Sequence, residues 1–287
     1  MVKVIVNADD LGVHSSIDEG IFLAFDKGIV TSASLLAVGE NIQQAAHNAA
    51  AFGLPVGLHL SLSEGKPIRM RKGYLVGNNG HFSRSPLDII MRYNPLRDGE
   101  SGLHDLRAEV EGQFERLLDL GVDLTHVDTH QHVHLNKFVS EIISTSAAKY
   151  GVTRMRRCRE PLFYSMLGMS FLGNVRRLNF AKWMLARHLT SLRQVPLRSS
   201  DAYFGLSFSG NMTVSVLKRF FETISGNETW EIAMHPGNPV STGATTTGLA
   251  PFYASPRRRE ELAALCDPEV KEVISRRGIE LVSWTAV

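Results

Sequence analysis

The sequence predicts an α/β fold, a distorted (β/α) barrel of seven to eight mostly parallel strands with helical and loop insertions, and three observations point there. Short β-branched apolar runs recur without polar alternation, as in strands buried on both faces of a parallel sheet. Stretches with helical spacing lie between most of them, so strand and helix alternate about eight times in 287 residues. Glycines follow several helical stretches, at Gly28, Gly53, Gly121, Gly151 and Gly278, where a helix commonly ends. The pattern favours one TIM-barrel-like domain over residues 1–287 rather than two separate domains.

The strand candidates are 2–7, 29–38, 55–62, 124–128, 153–157, 198–203, 230–234 and 279–284. The helix candidates are 15–27, 41–52, 106–120, 137–149, 213–224 and 255–276. Two segments break the repeat. Residues 63–102, rich in Gly, Pro, Asn and Arg, read as an excursion over one face of the barrel. Residues 161–196 read as a helical insertion with apolar and basic surfaces.

Composition narrows the class. With 44% hydrophobic and 21% charged residues the chain is an ordinary globular one, neither disordered nor collagen-like. Two cysteines, Cys158 and Cys266, cannot build a disulfide framework or a zinc knuckle, and read as reduced thiols. No run reaches the roughly 18–20 apolar residues of a membrane-spanning helix. The start, Met1-Val2-Lys3-Val4, runs straight into a strand rather than a charged leader. These readings predict a cytoplasmic protein. The formal charge of +2 is too weak for a nucleic-acid partner. It is unevenly spread: residues 151–198 hold ten Lys/Arg and one acid, Glu160. That segment is either a solvated helical face or a basic surface for an anionic partner.

The unusual polar residues fall at or near the carboxyl ends of the expected strands, where active sites of parallel α/β folds are built. Asp9 and Asp10 follow the first strand, His59 ends the third, Asp128 and His130 close the fourth, Asp201 is placed on the sixth, and His235 ends the seventh. His126, His130, His132 and His134 are four of the eleven histidines, and they crowd into nine residues around Asp128. On an extended segment this alternation would turn the imidazoles to one side. One of them is expected to bind metal while the others position or pack, with Asp128 fixing a ring tautomer. Asp9-Asp10 could be a solvated turn, yet its place after a buried strand favours one carboxylate on a cation and the other handling a proton. A carboxylate with two histidines suits one catalytic divalent ion: zinc or magnesium first, manganese, cobalt or iron after them. His235, held extended by Pro236, has no obvious ligand role and suits a general acid.

In order, Asn7-Ala8-Asp9-Asp10-Leu11-Gly12, Gly57-Leu58-His59-Leu60, the stretch from His126 to His134, and His235-Pro236-Gly237 resemble the motifs of the YdjC-like carbohydrate deacetylases. Gly28 to Ser32 and Arg156 to Pro161 extend the resemblance over most of the chain. It implies metal-dependent removal of the N-acetyl group from an amino sugar, with acetate released. By motif, Asp10, His59 and His130 would hold the metal, Asp9 would be general base and His235 general acid. Arg156 and Asp201 could orient the sugar, or form structural ion pairs. Leu11 stands where the family usually has Phe. Arg157 and Cys158 replace the more usual Leu and Pro, which leaves substrate contacts there open. The family handles soluble oligosaccharides and lipid-linked sugars, and the basic segment suits a lipid-linked substrate at the inner membrane face. A homodimer is family habit. The competing readings are a non-catalytic metal- or sugar-binding barrel, a hydrolase of another amide such as a formyl or hopanoid-linked one, and an iron oxygenase. The last conflicts with the strand–helix alternation.

Overall fold

The computed structural model describes residues 1–162, 183–189, 196–240 and 251–287. Its first strand, β1 (Lys3–Leu11), shows why the chain folds around it. Every residue after Lys3 is buried, and Val4, Ile5 and Val6 are fully so. Each such side chain contributes roughly 1.5–3 kcal/mol relative to exposure, on both faces of the strand, so β1 belongs at the centre of a covered sheet.

Around it run β2 (Ser32–Leu36), β3 (Val56–Leu60), β4 (Leu124–Thr129), β5 (Ala202–Phe204), β6 (Thr229–Met234) and the two-residue β7 (Glu280–Leu281). The order across the sheet is β4-β3-β2-β1-β6-β5, with β7 paired to the start of β1, and every ladder is parallel. The expected strand at 153–157 is not a ladder. It makes single parallel bridges, Met155 to Val127 of β4 and Arg154 to Arg198 just before β5. The ring of strands is joined there by a few hydrogen bonds, such as Arg156 N–H to Val127 O and Met155 N–H to Arg198 O. The sheet is therefore a curled, distorted (β/α) barrel.

Helices α1 (Ser15–Asp26), α2 (Ile42–Phe52), α3 (Pro86–Arg92), α4 (Glu100–Asp119), α5 (Lys137–Lys149), α6 (Val214–Thr223), α7 (Arg257–Cys266) and α8 (Pro268–Arg276) pack outside, and residues 183–189 are also helical. The expected helix 255–276 is two helices. Pro268 cannot continue α7, and Asp267 Oδ1 caps α8 by accepting from Glu269 and Val270 N–H at 2.8 and 3.2 Å. The excursion at 63–102 is less irregular than its composition suggests, since it contains α3 and a 3₁₀ turn at Pro95–Asp98. Gly53 takes the left-handed φ of 67° that ends α2, and Gly121, Gly151 and Gly278 are also left-handed, whereas Gly28 is not. Most of the expected insertion at 161–196 lies outside the described residues. Among those described, no helix is long and apolar enough to cross a membrane.

Candidate metal centre and active site

At the carboxyl end of β1 the strand bulges. Its register against β2 shifts between Ala8 and Leu11, and Asp10 adopts φ 72°, a conformation that costs a non-glycine residue about 1–3 kcal/mol. Successive residues of a regular strand face opposite sides. The bulge lets Asp9 and Asp10 both stay buried, and they meet different partners. Gly12, whose N–H donates to Asp18 Oδ1 at 2.6 Å, pins the turn that follows.

Asp10 faces His59 from β3 and His130 from the turn after β4. Its Oδ1 lies 3.5 Å from His59 Nε2 and 3.1 Å from His130 Nδ1. The two ring nitrogens are 3.3 Å apart. Asp10 Oδ1 is buried and accepts no hydrogen bond, while Oδ2 pairs with the buried Arg258 guanidinium. Each imidazole is held from behind by a second carboxylate: His59 Nδ1 by Asp128 Oδ1 at 2.8 Å, His130 Nε2 by Glu64 Oε2 at 3.2 Å. Burial opposes charge on both rings, yet Asp128 and Asp10 raise His59 to about 10, and Asp10 and Glu64 raise His130 to about 9. Burial would also raise Asp10, but Arg258 and the two imidazoles hold it well below the usual carboxylate range. Surplus negative charge draws protons onto these rings, as it would draw a metal ion. The donor set and the orphaned Asp10 oxygen fit a divalent ion held by Asp10, His59 and His130.

Beside this trio sits a second, closed cluster. Arg156 is fully buried and forms a two-pronged pair with Asp9, Nη1 to Oδ2 at 2.7 Å and Nη2 to Oδ1 at 2.8 Å. It also reaches Asp128 Oδ2 at 2.6 Å and Glu231 Oε1 at 2.7 Å. Asn7 Nδ2 adds a bond to Asp9 Oδ1 at 2.8 Å. Of the two uses expected for Arg156, orienting the sugar or forming a structural ion pair, the geometry shows the ion pair, with three carboxylates around the guanidinium. Three acids face one guanidinium. Burial pushes Glu231 up to about 8 despite Arg156, while Asp128 and Asp9 beside it act in the same direction.

Asp201 is corrected more sharply. It is exposed, precedes β5, and accepts from Thr229 N–H, the first residue of β6, at 2.8 Å. That is the amino end of β6, whereas His235 follows its carboxyl end.

The histidine run is not an extended segment with its rings on one side. It leaves β4 at Thr129 and folds into a tight turn, His130–Leu135, with left-handed Gln131 (φ 55°) and His132 (φ 57°). His126 lies within β4, stacked on Trp284 with ring centroids 4.7 Å apart, and burial lowers it to about 3. Gly57 makes room for it, since a Cβ there would come within 2.4 Å of the ring. His132 Nδ1 and His134 Nε2 approach Cys158 Sγ at 3.3 and 3.6 Å, and His134 Nδ1 meets Thr129 Oγ1 at 2.6 Å. Neither joins the trio.

His235 follows β6. Its N–H donates to Glu261 Oε2 at 2.6 Å, its ring meets Phe252 edge-on at 5.1 Å, and its Nδ1 has no hydrogen-bond partner. Burial lowers it to about 4. The loop is fixed by contact with α1, where a Cβ on Gly20 would come within 2.5 Å of Gly237 Cα. Sequence reading did not assign site roles to Arg258, Glu64, Tyr253 or Glu261. Tyr253 OH lies 3.4 Å from His130 Nε2. Arg258 sits in an Arg257-Arg258-Arg259 run that looks solvent-facing. Glu64 follows β3 by four residues, close enough to His59 to have been suspected.

The family described as YdjC-like protein matches residues 3–276. A carbohydrate deacetylase from Mus musculus is 33% identical over 299 residues, covering 98% of this chain and 93% of the relative. A chitooligosaccharide deacetylase from Escherichia fergusonii is 28% identical, covering 99% and 98%. Among solved structures, an Enterococcus faecalis V583 protein proposed to cleave cellobiose-phosphate superposes with a TM-score of 0.75 at 24% identity, covering 99% and 98% of the two chains. The last likeness shows the fold.

Proposed function

This chain belongs to the YdjC-like family, and on that premise we propose that it is a metal-dependent carbohydrate deacetylase that hydrolyses the N-acetyl group of an amino sugar and releases acetate. The observation that carries the reading is the buried Asp10 Oδ1, without a donor, set between His59 Nε2 and His130 Nδ1 beside a second carboxylate, Asp9. One carboxylate and two imidazoles favour zinc, with manganese, cobalt or iron next, because magnesium prefers oxygen ligands. Such an ion supplies a water of lowered pKa and polarises the acetyl carbonyl.

The chain's own residues do the rest. Asp9, held by Arg156 and Asn7, keeps one orientation and receives the proton of the attacking water. Asp128 and Glu64 hold the rings of His59 and His130 so that Nε2 and Nδ1 face Asp10. His235, which burial keeps unprotonated at rest, passes on to the departing amine the proton that Asp9 takes from the water. Its Nδ1 makes no hydrogen bond and lies 3.8 Å from Glu261 Oε2, which also accepts from its backbone N–H. A non-catalytic binding barrel would need neither Asp9 nor His235.

The test is acetate release from a panel of N-acetylated oligosaccharides and lipid-linked N-acetylhexosamines, with and without chelator. Chelator-sensitive release is expected. No release from zinc-, manganese- or cobalt-loaded protein on any substrate would overturn the deacetylase reading, and release of formate from N-formyl analogues would replace it.

A further inference from the structure

We infer that the basic wall beside the histidine turn is an anion-binding pocket that takes a phosphate group. Residues 151–198 carry ten Lys/Arg against one acid, Glu160. Around a cavity of about 760 Å³ the fold gathers Arg157, Arg159, Arg187 and His188, with Glu160 and Trp183 in the wall. Glu160 is the one acid of the wall, and its Oε2 is turned toward backbone donors. Its Oε2 accepts from Leu206 and Ser207 N–H at 2.8 and 3.2 Å, and burial pushes the carboxyl up to about 7.

Two of the arginines are open to a ligand. Arg159 and Arg187 are exposed, and among the described residues neither forms an ion pair. Arg187 is nonetheless oriented. Its Cζ lies 5.6 Å from the centre of the Trp183 ring, a cation–π contact that holds the guanidinium near the cavity. Trp183 is anchored in turn, Nε1 donating to Glu160 O at 2.9 Å, within a small apolar cluster with Leu135, Ala186 and Tyr203. Guanidinium groups match phosphate oxygens in pairs, and several cations around one cavity favour a dianion over a carboxylate.

The pocket adjoins the candidate active site through one residue. Cys158, between Arg157 and Arg159, packs its Sγ against His132 and His134 of the turn that begins at His130. A sugar with its acetamido group at Asp10, His59 and His130 could carry a phosphate into this cavity. That link to turnover rests on the deacetylase reading, but phosphate binding by the pocket does not.

The test is a calorimetric titration of the full chain with inorganic phosphate, against chloride at matched ionic strength. Saturable binding is expected, weakened about tenfold or more in the Arg159→Ala/Arg187→Ala variant, whose fold is checked by its melting curve without phosphate. A second variant, Arg159→Glu, should weaken it further. Binding no tighter than that of chloride, or equal in wild type and variants, overturns the pocket. Two competitors then separate the sources. Displacement by an N-acetylhexosamine phosphate assigns the pocket to the substrate's own phosphate, and displacement by phosphatidic-acid vesicles to a lipid headgroup. Displacement by neither overturns a phosphate-ester site.

Discussion

Two buried charged clusters meet where β1 bulges, one centred on Arg156 and the other on Asp10, and they differ in what is left over. In the Arg156 cluster the guanidinium reaches Asp9, Asp128 and Glu231 at 2.6–2.8 Å. In the Asp10 cluster one carboxylate oxygen has no donor, and two ring nitrogens point at it. Burial and charge are alike in both. Unspent lone pairs distinguish a place that can take an ion from one whose carboxylates are already held by a cation. Asp128 belongs to both, with one oxygen on Arg156 and the other on His59, so the closed cluster sets the geometry of the open one.

The largest effect should come at the junction. Asp9→Asn is expected to lower turnover by about 10²–10⁴ while metal content, measured by atomic absorption, stays at the wild-type level. Wild-type acetate release in that variant would remove Asp9 from the proposed chemistry. Next, Arg156→Met strips the cation from three buried carboxylates and should cost about 3–5 kcal/mol in urea unfolding. Because this cluster is closed without an ion, the loss should be the same with or without chelator. A loss seen only in the metal-loaded protein would contradict the division drawn here.

Glu64→Ala probes the open cluster from the excursion at 63–102. Without the carboxylate behind His130, zinc affinity in a competitive chelator assay should fall by ~10–100-fold, and unchanged affinity would mean that Glu64 only packs. Glu231→Gln tests charge balance. Its folded-state pKa of about 8 lies above the ordinary 4.5, so between these values the native state binds more protons than the unfolded one. Its contribution is fully present below about pH 4.5 and is lost as pH rises through 8. Relative to wild type, Glu231→Gln should flatten that decline, and parallel stability curves would count against it. Asp201→Asn should do least. It changes an exposed cap at the opposite end of the sheet, so stability should move by under ~1 kcal/mol, and turnover should not move at all. A raised KM there would reinstate Asp201 at the substrate.

The same contrast governs how much of the molecule was legible in its sequence. Asp10, His59 and His130 could be grouped from the sequence because each lies at or just past the carboxyl end of a buried strand, and parallel strands deliver those ends to one place. Asp128 was readable because a carboxylate next to crowded histidines has few other uses. Asp201 was misplaced because the strand read as 198–203 begins four residues later: β5 runs Ala202–Phe204, and Asp201 caps the neighbouring strand at its start. Arg258 and Glu64 were missed because nothing local marks them. Arg258 lies 248 residues from its partner Asp10, in a run of arginines that looks solvated.

By itself the sequence determined the strand–helix alternation and the end of the barrel where chemistry gathers, because those follow from local periodicity and from the direction of parallel strands. Only the tertiary structure decided which donors were spent. Arg156 is held among three carboxylates, and His126, His132 and His134 turn away from Asp10, because of a bulge, two left-handed residues and a close approach at Gly57. Each of these depends on contacts between residues far apart in the chain, which no local pattern records.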